Sequence, residues 1–156
     1  MNFSFKKIDM AGFIRIWNSD FKDGHPDSHN KSFENSTKDE WKNLFEKYLL
    51  LMHEVILDGS EYGYIFLSPK KDRSAHLGYG LYEEFRGKGL SVRMCSEFLD
   101  LKIPGLDKSI DHLYGTTLKY NLISQKVLQK LHFYFEKEFV EDEIEYLRFR
   151  KNILNT

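Results

Sequence analysis

The sequence has one cysteine, Cys95, three prolines and no apolar run long enough to cross a bilayer. A single thiol excludes an internal disulfide framework and a multi-cysteine zinc site, and no metal site is expected. Its neighbours Met94, Phe98 and Leu99 mark Cys95 as a small buried hydrophobe rather than a reactive thiol. Without a stretch of about 18 or more apolar residues, no membrane span is predicted. An N-terminus carrying Lys6, Lys7, Asp9 and Arg15 leaves no room for a signal-peptide core, so a cytoplasmic chain is expected. An excess of one charge is missing too: 23 Lys and Arg against 24 Asp and Glu leave a net charge of −1. No membrane surface and no direct nucleic-acid partner are therefore expected of the chain as a whole.

What is present is a core-forming composition. Hydrophobic residues make up 41%, and 13 Phe, 9 Tyr and 2 Trp promise a core heavy in rings. That excludes a disordered or collagen-like chain. The 156 residues predict one domain spanning 1–156.

Periodicity orders the chain. Phe3 and Phe5 alternate with polar neighbours as in a short strand. Asp9 can cap a helix carrying Met10, Phe13, Ile14 and Trp17. Residues 19–37 read as a long polar loop, and Thr37 with Glu40 forms a capping box before Trp41, Leu44, Phe45, Tyr48 and Leu49. Strands are expected at 51–57 and 62–67 around Asp58-Gly59, then at 75–85. From Gly87 the period turns helical through Leu90, Met94, Phe98 and Leu101, until Pro104-Gly105. A strand at 110–118, a helix capped by Asn121 and two last strands follow, with Phe133, Phe135 and Phe139 alternating and residues 144–149 closing the chain. This order predicts an α/β (α+β) domain. Its central sheet is mixed, mostly antiparallel, with about seven strands, and about four helices flank it.

One segment carries chemistry: Leu81-Tyr82-Glu83-Glu84-Phe85-Arg86-Gly87-Lys88-Gly89-Leu90-Ser91. A strand runs into a glycine turn that opens a helix. Glycines let the backbone adopt unusual dihedrals and approach a ligand closely. The helix start offers free N–H groups and a partial positive charge, which together suit a phosphate or pyrophosphate. Arg86 and Lys88 add two charges. A Walker loop does not fit, because Tyr82 stands where its first glycine belongs. The dinucleotide fingerprint does not fit either, because Val92 stands where its third glycine belongs.

The turn resembles the (Q/R)-x-x-G-x-(G/A) signature of the GNAT superfamily of acetyl-CoA-dependent N-acetyltransferases. Arg86, Gly87, Lys88, Gly89 and Leu90 match, and Ser91 takes the last place as a still-small residue. A second family segment, N-x-x-(S/A) followed by a helix and G-F, is matched by Asn121, Ser124 and Leu131-His132-Phe133, with His132 in place of Gly. Both motifs are most similar to the branch that acetylates N-terminal amines of ribosomal proteins.

The resemblance implies direct attack of a primary amine on acetyl-CoA in a ternary complex. It assigns the pyrophosphate to Arg86, Gly87, Lys88, Gly89, Leu90 and Ser91. The pantetheine arm goes to the backbone from Leu81 and to Asn121, in a slot opened where the two central strands splay. The Leu81 N–H is the implied oxyanion donor. Many members protonate the leaving thiolate with a Tyr seven residues after the motif Asn, but that place is Leu128 here. Ser124 is the remaining hydroxyl, and Asn121 also suits a plain helix cap. For the base, Glu83 and Glu84 end the cofactor strand, and His76, Tyr79, His112 and Tyr114 lie on the strands expected to border the slot; Glu83 and Tyr114 are the catalytic candidates among them. An α-amine needs less help from a base than a lysine-like amine, since its pKa is near 8 rather than about 10.4.

The acceptor stays open between a protein N-terminus and a small molecule. An amino-sugar acceptor, a non-catalytic acyl-CoA sensor or assembly module, and a longer acyl donor are the alternatives. The resemblance also suggests a sheet-edge homodimer. His25 and His29 have metal-like spacing but no third ligand in reach, and Lys70, Lys71 and Arg73 make a basic turn. Glu141, Asp142, Glu143 and Glu145 form an acidic run that could receive a cationic substrate.

Overall fold

The computed structural model describes residues 2–16, 52–101 and 108–153, together with Asn43 and Glu46. The expected helix at 37–49, the loop at 19–37, Trp17, His25, His29 and Pro104-Gly105 lie outside the described residues. Seven strands are seen: β1 (Phe3–Lys7), β2 (Met52–Leu57), β3 (Ser60–Pro69), β4 (Ser74–Leu81), β5 (His112–Leu118), β6 (Tyr134–Glu141) and β7 (Ile144–Asn152). Three α-helices, α1 (Met10–Ile16), α2 (Ser91–Leu99) and α3 (Leu122–Lys130), and a 3-10 turn at Glu83–Phe85 complete the described elements. The strand order is β1-β2-β3-β4-β5-β7-β6. The fold is α+β with a mostly antiparallel sheet, as the periodicity predicts. Its parallel step is β4 beside β5, in the register Ser74↔His112, Ala75↔Leu113 and His76↔Tyr114.

The chain forms two compact units, Met1–Ile65 with Tyr79–Lys88, and Phe66–Gly78 with Gly89–Thr156. In the first unit, β1 and β2 pair antiparallel from Phe3↔Leu57 to Lys7↔His53. The α1 helix starts as its sequence dictates: Asp9 Oδ1 accepts the Gly12 N–H at 2.7 Å. Phe13 and Ile16 of α1 and Val55, Tyr62 and Ile65 of the strands are fully buried. In the second unit, β7 pairs antiparallel with β5 from His112↔Asn152 to Leu118↔Tyr146, and with β6 on its other side. Met94, Cys95 and Phe98 of α2 and Val127 and Leu128 of α3 are buried. Burial pushes the Cys95 thiol well above its ordinary range, which keeps it protonated and inert.

Three boundaries differ from the sequence expectation. β4 stops at Leu81 instead of reaching residue 85, because the Phe85 N–H turns back to the Tyr82 carbonyl at 2.8 Å. α2 ends at Leu99, so Leu101 is exposed rather than part of the apolar stripe. The strict alternation of Phe133, Phe135 and Phe139 breaks at a bulge between Phe135 and Lys137, and Phe135, still opposite Phe149, is exposed.

Candidate functional site

The glycine turn begins in the first unit, where β4 ends. The Tyr82 N–H donates to the Tyr62 carbonyl at 3.0 Å. The Tyr62 hydroxyl reaches the Phe85 carbonyl at 3.4 Å, and the two rings lie 4.7 Å apart. Burial raises the Tyr62 hydroxyl pKa, so it stays a donor. Arg86 Nε donates to the Leu81 carbonyl at 3.0 Å, which ties the turn to the strand end. The Lys88 ammonium stands 5.5 Å over the Phe85 ring. Tyr62 is the member that sequence reasoning missed. It is one of nine tyrosines, and nothing local links position 62 to position 85.

Gly87 and Gly89 have φ of +78° and +69°, and a Cβ built on either would meet nothing within 4 Å. These glycines are required by their left-handed backbone, and the space above them is open. The α2 helix that follows has Leu90 at its N-cap, no side-chain cap and no acidic residue in its first turn. Its first N–H groups, beginning at Ser91 and Val92, lack the oxygen that most helix starts supply for themselves.

The second motif sits in the second unit. Asn121 Oδ1 accepts the Ser124 N–H at 3.2 Å, so the cap role expected of this asparagine is present. Gln125 Nε2 donates to the Lys119 carbonyl at 2.8 Å and steadies the same turn. Ser124 is half-buried, and its Oγ hydrogen-bonds to no described residue. Leu128, in place of the family's tyrosine, is buried against Gly115, where a Cβ would come within 2.6 Å of Leu128 Cδ2. His132 takes the left-handed position after α3, φ +69°, which a glycine ordinarily fills. It returns its N–H to the Gln129 carbonyl at 3.0 Å.

The base candidates divide. Glu83 opens the 3-10 turn, but its side chain lies outside what is described. Tyr114 is buried; its ring packs edge-on against His76 at 5.4 Å and His112 at 5.0 Å, under the Arg148 guanidinium at 4.2 Å. Burial, then Lys70 and Arg148, hold the His76 imidazole down to about 4, so it is neutral near pH 7. The acidic run is partly spoken for: Glu145 accepts the Tyr120 hydroxyl at 2.9 Å and lies 3.7 Å from Lys119. The basic turn is likewise tied down, with Arg73 3.3 Å from Asp111. Among the described residues no group of three His, Cys, Asp or Glu could hold a metal ion. None of their helices is long and apolar enough to cross a membrane.

The model of the acetyltransferase (GNAT) domain matches residues 6–134. No curated protein sequence matches the chain. Solved structures share its fold. One is a ribosomal L7/L12 α-N-protein acetyltransferase in complex with coenzyme A, 14% identical at a TM-score of 0.71, over 98% of this chain and 95% of that one. Another is a ribosomal-protein-S5-alanine acetyltransferase from Vibrio fischeri, 20% identical at 0.68, over 97% and 93%. A third is a spermidine N-acetyltransferase chimera from Vibrio cholerae and hSSAT, 15% identical at 0.68, over 96% and 95%.

Proposed function

Because the chain belongs to the GNAT acetyltransferase family, we propose that it is a single N-acetyltransferase domain, 1–156, moving an acetyl group from acetyl-CoA to a primary amine. The observation that carries this reading is the α2 start: two left-handed glycines under open space, then a helix with no cap of its own. Such a start is completed by an anion of the pyrophosphate type. The residues present therefore fit the donor. Acetyl-CoA supplies the activated thioester, whose thiol, with a pKa near 8.5, leaves readily.

The chain's own residues do the rest. The backbone from Gly87 to Ser91 binds the pyrophosphate, and Lys88 adds a point charge. Arg86 shapes this cradle through its bond to the Leu81 carbonyl, which is a role beyond the direct phosphate contact its motif suggests. The backbone of β4 past the last β4–β5 pair, His76↔Tyr114, binds the pantetheine arm as an added strand. The Leu81 N–H steadies the developing oxyanion. Asn121 keeps its amide Nδ2 for the arm, since its Oδ1 is occupied. The Ser124 hydroxyl donates to the leaving sulfur. A neutral His76 with a pKa of about 4 is too weak a base for an ammonium, so the amine proton leaves by another group or by water.

The test is calorimetric binding of acetyl-CoA followed by thiol release with a panel of amines. Saturable binding and transfer well above background are expected. Absence of any acetyl-CoA binding would sink the reading, and binding without transfer would favour the sensor alternative. Ser124→Ala should lower turnover about 10- to 100-fold while leaving acetyl-CoA affinity within about twofold. Unchanged turnover removes Ser124 as the acid.

A further inference from the structure

We propose that Arg148 recognises a carboxylate on the acceptor, so that this enzyme favours amines accompanied by a negative charge. The inference rests on the acetyl-transfer reading and names the acceptor class for it. Arg148 lies on β7, paired with Thr116 of β5. Its Nε donates to Glu136 Oε2 at 2.8 Å, and its guanidinium carbon sits 4.2 Å from the centre of the Tyr114 ring. One contact holds the guanidinium by an edge and the other by a face. Its Nη groups hydrogen-bond to no described residue. A fork held this way has already lost its rotamer freedom and keeps two parallel donors for a planar anion.

The surrounding charge agrees. Arg150 points to the same Glu136 at 3.8 Å and donates through Nε to Asn152 Oδ1 at 2.9 Å. Two guanidiniums share the Glu136 carboxylate, and Arg150 also lies within electrostatic reach of Asp111. The other nearby acids are committed. Asp111 is 2.5 Å from His112 Nδ1 and 3.3 Å from Arg73, and Asp72 accepts from Ser74. Burial and the adjoining cations keep His76 neutral, so it neither adds to the positive charge nor offsets it. The cluster surrounds His76 and Tyr114, the pair that closes the β4–β5 ladder, where the acetyl-transfer reading places the donor's arm. A polyamine would bring more positive charge to this surface and is disfavoured. An acidic side chain near a peptide N-terminus and the carboxylate of a free amino acid offer the same chemistry.

The experiment compares matched acceptors at saturating acetyl-CoA: a short peptide with Glu in second place against its Gln analogue, a free amino acid against its amide, and spermidine. The two pairs separate the peptide source from the small-molecule source. In the wild-type enzyme the acidic member of at least one pair should show a kcat/KM about tenfold or more above its neutral partner. Arg148→Gln should erase that ratio by raising KM for the acidic member alone, with acetyl-CoA affinity unchanged by calorimetry. Arg148→Lys should restore part of it, since charge returns without the fork. Equal use of acidic and neutral acceptors, preference for spermidine, or an equal loss for both members in Arg148→Gln would overturn the proposal. If no acceptor releases thiol, the acetyl-transfer reading has failed, and NMR titration with the acidic peptide decides the anion site alone. Saturable binding abolished by Arg148→Gln upholds it, and no binding overturns it.

Discussion

The two helices of the second unit begin in opposite ways. At α3, Asn121 lends its side-chain oxygen to the Ser124 N–H, and the helix start is complete within the chain. At α2, Leu90 lends nothing, the first turn has no acid, and the backbone before it runs through two left-handed glycines with open space above them. An Asn cap is worth about 1 kcal/mol, so leaving α2 without one is a standing cost. That cost makes sense where an outside anion completes the helix start. One start is completed within the chain; the proposed function assigns the other to a ligand.

Substitutions can break this contrast. The largest effect is expected from Gly89→Val, which puts a β-branched residue at φ +69° and fills the space a phosphate would use. Acetyl-CoA affinity should fall about 100-fold by calorimetry, roughly 2.7 kcal/mol. Unaltered affinity would show that α2 is not the anion site. Leu90→Asp would supply α2 with its own anion. The carboxylate favours the helix dipole by about 0.3–1 kcal/mol and repels phosphate, so melting temperature should rise while acetyl-CoA affinity drops about tenfold. Asn121→Ala should act the other way round. It removes about 1 kcal/mol and lowers the melting midpoint by about 2–4 °C, with a smaller change in acetyl-CoA affinity than either α2 variant.

A separate, pH-dependent effect comes from His76, which belongs to neither helix start. Its folded pKa, about 4, lies below the unfolded value of 6.5, so between those values the unfolded chain binds more protons. Stability contributed by neutral His76 is therefore complete above about pH 6.5 and is lost progressively as pH falls toward 4. Melting scans across that window should show a decline that His76→Gln flattens. A decline of unchanged steepness in the variant would assign it to other groups.

Much of the contrast was legible in the sequence. Asn121 before an apolar period reads as a cap, and a G-x-G at a strand-to-helix junction reads as an anion turn. Asp9 capping α1 was legible for the same reason: caps and turns are local, and three or four adjacent residues suffice to specify them. What escaped depends on residues that meet only through the fold. Tyr62 props Phe85 from another strand, and Arg148 covers Tyr114 across a strand pair. The bulge after Phe135 was illegible because the extra residue, Glu136, looks like any polar strand position until its partners Arg148 and Arg150 are known. The end of β4 was overrun because Glu83 and Phe85 suit a strand, and the hydrogen bond from Phe85 back to Tyr82 leaves no mark in the sequence.

The contact of Leu128 with Gly115 constrains how this protein can change. Leu128 already fills its place, and position 115 has no spare volume beneath it. A larger phenol at 128 would press on the buried surroundings of Leu128, Gly115 among them. Residue 115 can gain a side chain only if Leu128 shrinks first, and Gly115 itself has none to give up.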